Sequence, residues 1–134
     1  MNMTLILIIT VGVLVLMIMT MAPRLKSSTL DKNYFQKQWK ELQILLRTKE
    51  GQRLSIIEAD KLLDEALKQL KFSGKTMGER MVSAQRSFSS PEALWNAHKL
   101  RNKLVHETSI KLTKTQVLKS LRAFQQSLKD LGAL

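Results

Sequence analysis

The chain opens on MTLILIITVGVLVLMIMTMA, residues 3–22, where almost every side chain is aliphatic and none is charged. A run without a polar side is not the pattern of a half-buried bundle helix, which keeps one face for water. At a rise of about 1.5 Å per residue it covers about 30 Å, the thickness of a bilayer's hydrocarbon core. The pattern predicts a single transmembrane helix as an N-terminal anchor over residues 1–22, ended by Pro23. Thr4, Thr10 and Thr20 would return their hydroxyls to the helix's own carbonyls, and Gly12 is tolerated in such a setting. A cleaved secretory signal fits less well. No basic residue precedes the run, it exceeds the usual apolar core of about 7–15 residues, and residues 19–23 offer a poor cleavage site.

Beyond residue 22 the pattern changes to mixed polar and apolar. PRLKSSTL, residues 23–30, reads as a juxtamembrane linker. Helical spacing then sets in. A first amphipathic helix over 31–48 carries Phe35, Trp39, Leu42 and Leu46, and Glu50-Gly51-Gln52 breaks it. A second over 53–71 has the stripe Ala59, Leu62, Leu63, Ala66, Leu67 and Leu70, stopped by Ser73-Gly74. A weaker helix covers 77–86 and 87–90 is a loop. Ser90-Pro91-Glu92 combines a capping hydroxyl, a first-turn proline and an early acid, the signature of a helix start, here reaching about Glu107. The last helix begins at Thr113, with Gln116 placed for a capping box, and its stripe is Val117, Leu118, Leu121, Phe124, Leu128 and Leu131. Short connections between amphipathic helices predict an all-α fold: after the anchor, an antiparallel bundle of four to five helices over 31–134.

Charge adds direction to this picture. All 22 Lys and Arg and all 11 Asp and Glu lie outside the first 22 residues, so the remainder carries the whole net charge of +11. Arg24, Lys26, Lys32, Lys37 and Lys40 outweigh Asp31 and Glu41 on the C-terminal side of the apolar run. The positive-inside rule then places the N-terminus outside and the helical domain in the cytoplasm, at the cell membrane. The second helix is balanced in charge. The last segment, from Lys111 onward, is not, with Lys111, Lys114, Lys119, Arg122 and Lys129 against Asp130. That excess would be drawn to anionic lipid headgroups, or to the phosphates of RNA or DNA. There is no cysteine, which excludes disulfides and thiolate metal sites.

Chemistry concentrates in residues 95–107, WNAHKLRNKLVHE, which hold both histidines of the protein. At 100° per residue, His98, Asn102 and His106 drift down one flank, Ala93, Ala97, Leu100 and Leu104 make the core face, and Glu92, Lys99 and Lys103 face water. Arg101 falls inside the apolar arc. It snorkels, pairs with a carboxylate of the second helix such as Glu58 or Asp60, of which Asp60 lies nearest the apolar stripe, or lines a wet groove that takes an anion. His98 reads as a surface histidine. Two histidines eight apart without cysteine make a poor zinc site. Gly74-Lys75-Thr76 resembles the end of a P-loop, but Gln69 stands where the earlier glycine belongs and no strand precedes it. Gly78-Glu79-Arg80 reads as a turn with a surface ion pair, and Glu58, Asp60, Asp64 and Glu65 as a solvated face.

Arg101-Asn102, three further residues and His106 resemble the motif of the HEPN superfamily, an arginine followed by a polar residue and then a histidine. IIEADKLLDEAL, GKTMGERM, LWNAHKLRNKLVHE and the closing DLGAL extend a resemblance to small bacterial proteins, some with an N-terminal anchor, from Trp39 to Leu134. The resemblance implies a helical bundle, a homodimer through the motif helix at 91–107, and RNA cleavage without metal or other cofactor. On that reading Arg101 holds the phosphate bidentately, Asn102 orients the phosphate or His106, and His106 moves protons near neutral pH, with Asp60 and His98 in support. Two functions stay open: a membrane-anchored HEPN-like domain that binds RNA or acts as a metal-independent ribonuclease, and a non-catalytic membrane-tethered scaffold that binds a partner.

Overall fold

A computed structural model describes residues 2–21 and 29–134, with backbone alone at 18–21. Among the described residues there are six α-helices and no strand. They are α1 (Met3–Met21), α2 (Lys32–Leu45), α3 (Lys49–Gln69), α4 (Met77–Ser83), α5 (Pro91–His106) and α6 (Lys114–Asp130), with a 3-10 turn at Gln85–Ser87 between α4 and α5.

The first segment is helical, and Thr10 Oγ1 does donate to the Leu7 carbonyl at 2.9 Å. Among the described residues, however, no helix is long and apolar enough to cross a membrane. That overturns the transmembrane anchor expected over 1–22. It also overturns the single-pass placement at the cell membrane, with an outside N-terminus and a cytoplasmic domain. The physical reason is length: α1 has 19 residues, which at about 1.5 Å each cover about 28 Å, short of the roughly 30 Å of a hydrocarbon core. The helix stop assigned to Pro23, and most of the linker expected over 23–30, lie outside the described residues.

The bundle is organised around α3, which packs against α2, α4, α5 and α6, while α5 and α6 pack on each other. Phe35 of α2, Ile56, Leu63 and Leu67 of α3, Leu94 and Leu104 of α5, and Phe124 and Leu128 of α6 are all sealed from water. Burying a side chain of this size is worth about 1.5–3 kcal/mol, and this set explains why the stripes of four helices must face one another. A central helix covered on several sides has little solvated face left. This is why Asp60 ends up inside the bundle and not on its surface.

Helix ends depart from expectation in instructive ways. The break between α2 and α3 falls at 46–48, and Gly51 lies in the first turn of α3. Thr48 Oγ1 accepts from Gly51 N at 2.9 Å, capping the helix. The glycine is there for space: a Cβ would stand 1.8 Å from the Leu45 carbonyl oxygen. At the other end, α3 stops because Lys71 turns left-handed (φ +61°), with Phe72 N donating to Leu67 O at 3.1 Å. This is a Schellman ending achieved three residues before the expected Gly74. The weak helix expected over 77–86 is a two-turn α4 followed by the 3-10 turn. Pro91 does open α5, but the Ser90 side chain makes no capping bond. Ser89 instead donates through both its N and its Oγ to Asp130 Oδ2, each at 2.8 Å, tying this start to the end of α6. Thr113 and Gln116 form the capping box that their spacing predicts.

Candidate functional site

Asp60 sits in the middle of α3 with its side chain 3% exposed, and α5 delivers three polar side chains to it within five residues. His98 Nδ1 lies 2.7 Å from Asp60 Oδ1. Asn102 Nδ2 lies 3.3 Å from His98 Nε2. Arg101 Nη1 donates to Asn102 Oδ1 at 3.0 Å, and Arg101 Nε stands 3.2 Å from Asp60 Oδ2. The four residues close a circuit: Asp60 to His98, His98 to Asn102, Asn102 to Arg101, and Arg101 back to Asp60. Every junction but the last is a hydrogen bond. The last is an ion pair whose angle is not that of a hydrogen bond, so Arg101 Nε is buried with no hydrogen-bond partner.

The circuit dictates a tautomer. A carboxylate accepts only, so His98 donates from Nδ1, and Nε2 is then the acceptor for the Asn102 amide. The same choice leaves Asn102 Oδ1 facing the Arg101 guanidinium. Arg101 is thereby pinned by a buried charge and by its neighbour, while its side chain stays 27% exposed. A fixed, half-exposed guanidinium is a ready partner for a phosphate, because its side-chain entropy is already spent.

The expected site residues are thus only partly brought together. Asp60, His98, Arg101 and Asn102 share one cluster, and Asp60 is the carboxylate that Arg101 faces. His98, read as a surface histidine, is buried and central to the circuit. His106 stands apart. It is the last residue of α5 and exposed, and its side chain makes no hydrogen bond among the described residues. Five residues along an α-helix turn the side chain by about 140°, so Arg101 and His106 of one chain do not share a face.

Two arginines escaped the sequence reading. Arg53 of α3 reaches the end of α5 and donates through Nη2 to the carbonyls of Leu104 and of Glu107, the latter at 2.6 Å. It thereby satisfies carbonyls that the helix terminus leaves open, and it fixes the turn that carries His106. Arg80, read as half of a surface pair, is buried. It bonds Asp64 through Nε and Nη2 at 2.7 and 3.0 Å and the Gly74 carbonyl at 2.7 Å. Neither has a local signature, since each partner lies at least six residues away and in another element or loop. Of the four acids expected to form a solvated face, Asp60 is buried and the other three are half-buried.

Burial pushes the Asp64 carboxyl up, but the hydrogen bonds and charges of Arg80 and Lys68 outweigh it and hold the group below its ordinary value. A carboxyl depressed in the folded state contributes stability that is complete above its unfolded pKa, about 3.9, and is lost as pH falls through the folded value. Acid unfolding should therefore begin below about pH 4. In an Arg80→Ala variant the neutral-pH stability should drop by about 2–4 kcal/mol and its decline in acid should flatten. Urea midpoints between pH 3 and 7 would test this; an acid slope equal to the parent's would assign the loss to other groups.

No family model, no curated protein and no solved structure matches the chain.

Proposed function

We propose that this chain is a HEPN-like helical domain that binds RNA and cleaves it without metal, as a dimer through α5. The observation that carries this reading is the Asp60-anchored Arg101, a cation fixed and half-exposed on the helix that ends in the exposed His106. Cleavage within RNA needs a base for the ribose 2′-hydroxyl, an acid for the leaving oxygen and a cation for the phosphorane charge. His106 takes the 2′-hydroxyl proton as that oxygen attacks the adjacent phosphorus. The bond to the 5′-oxygen breaks, and a second histidine returns a proton to it, leaving a 2′,3′-cyclic phosphate and a 5′-hydroxyl. Arg101 compensates the charge on the non-bridging oxygens.

The helix geometry supports the dimer. One chain offers a single unencumbered histidine, and it lies around the helix from Arg101. A second copy across the flank formed by Asn102, Val105 and His106 would bring His106 of that copy toward Arg101 of the first. Val105 is 48% exposed on that flank, an apolar side chain available to such a contact. The test is incubation of the full chain with mixed-sequence RNA in EDTA. Products ending in 2′,3′-cyclic phosphate are expected; intact RNA would remove the enzymatic reading.

The scaffold reading has one observation in its favour. Arg101 already has a carboxylate partner within the bundle, which a purely structural arginine would also have. Intact RNA in that assay, together with an Arg101→Ala variant that loses its fold, would favour it.

A further inference from the structure

A cleft of about 550 Å³ opens between the start of α3 and the loop that follows α5. Lys49, Arg53 and Lys111 line it against a single acid, Glu50, with Thr108 and Ile110 beside them. The three cations come from two separate elements that only the fold brings together. Lys49 and Lys111 are exposed, and neither is ion-paired among the described residues. Arg53 is different in kind. Its Nη2 donates to the Leu104 and Glu107 carbonyls and its Nη1 to that of Thr108, while its charge remains in the cleft wall.

We propose that this cleft seats a backbone phosphate of single-stranded RNA, beside the end of α5 that carries His106. The inference rests on the RNA reading above and adds a contact distinct from Arg101. Arg53 supplies a fixed positive field that costs no side-chain ordering on binding. Lys49 and Lys111 supply mobile ammonium donors that close on the phosphate oxygens. Thr108 can donate a hydroxyl to the same phosphate, and Ile110 gives apolar surface for the adjoining sugar or base. Because Arg53 holds the carbonyls on either side of His106, a strand seated in the cleft passes the α5 terminus. The cleft thus sets which stretch of RNA is presented there.

The test uses the full chain and a short fluorescein-labelled single-stranded RNA with 2′-O-methyl riboses, which cannot be cleaved. Fluorescence anisotropy is read across a salt series for the parent and for the double variant Lys49→Gln/Lys111→Gln. Both lysines are exposed, so the variant should keep the parent's helicity and melting temperature, checked by circular dichroism. The variant is expected to bind about tenfold more weakly at low salt, with its log K against log salt slope reduced by about 1.4, roughly 0.7 for each lost ion contact. Equal affinity and slope in a fully folded variant overturn the cleft proposal. Cleavage of unmodified RNA in EDTA is read separately. Cleavage with an unchanged variant affinity discards the cleft alone. Cleft-dependent binding without cleavage keeps the cleft and discards catalysis, and a parent that binds no RNA discards both.

Discussion

Replacing His106 by alanine should lower RNA cleavage by about 10²–10⁴-fold, the usual worth of a positioned proton-transfer group. The structure makes this a clean substitution. His106 ends α5, faces water, and its ring makes no hydrogen bond among the described residues, so removing the ring opens no cavity and strands no partner. Helicity, thermal stability and affinity for uncleavable RNA should stay within error of the parent, and the rate alone should fall. A surface substitution of this kind ordinarily shifts stability by less than about 0.5 kcal/mol. Single-turnover rates of the parent and His106→Ala in EDTA, beside their melting curves, decide the matter. Equal rates would take His106 out of the chemistry.

An Asp60→Ala variant should lose about 3–5 kcal/mol of folding stability, out of the 5–15 kcal/mol typical of a domain. The carboxylate is the only anion in the circuit, with His98 Nδ1 at 2.7 Å and Arg101 Nε at 3.2 Å. Its removal leaves a buried imidazole donor unmatched and a guanidinium half in the core with no counter-charge. Asp60→Asn keeps an acceptor for His98 but turns an amide donor toward Arg101, so a smaller loss is expected. Urea titrations with unchanged m values would measure both. A loss below about 1 kcal/mol in Asp60→Ala would show that Arg101 is held by something else. Because the same carboxylate fixes the guanidinium, Asp60→Asn protein that remains folded should also bind RNA more weakly than the parent.

Much of the bundle was legible from spacing. Phe35, Trp39 and Leu42, the Ala59-to-Leu67 stripe, and Val117, Leu121, Phe124 and Leu128 are core where their periodicity puts them. The capping box at Thr113 and Gln116 is a local motif and formed as written. The pairing of Arg101 with Asp60 could be named in advance, because an arginine in an apolar arc requires a carboxylate and few are close to the facing stripe. The misreadings share a cause. Gly51 looks like a breaker until the Leu45 carbonyl is seen beside it, and Lys71 takes the left-handed turn that composition assigns to Gly74. The apolar run at the N-terminus correctly implied a helix, but not a membrane-crossing one.

By itself, then, the order of residues determined what neighbours along a helix decide: helical class, stripes, caps, and the one helix where histidine, arginine and asparagine gather. It could not determine which polar groups leave water. His98, Asp60 and Arg80 are buried because α3 is covered by four other helices, and that is a property of the assembled bundle. Nor could it place Arg53 against the end of α5, or Lys49 beside Lys111, since those contacts cross more than fifty residues of chain. Ion pairs and clefts depend on distances in space. Sequence periodicity records only direction around each helix, so these features became visible once the helices were packed.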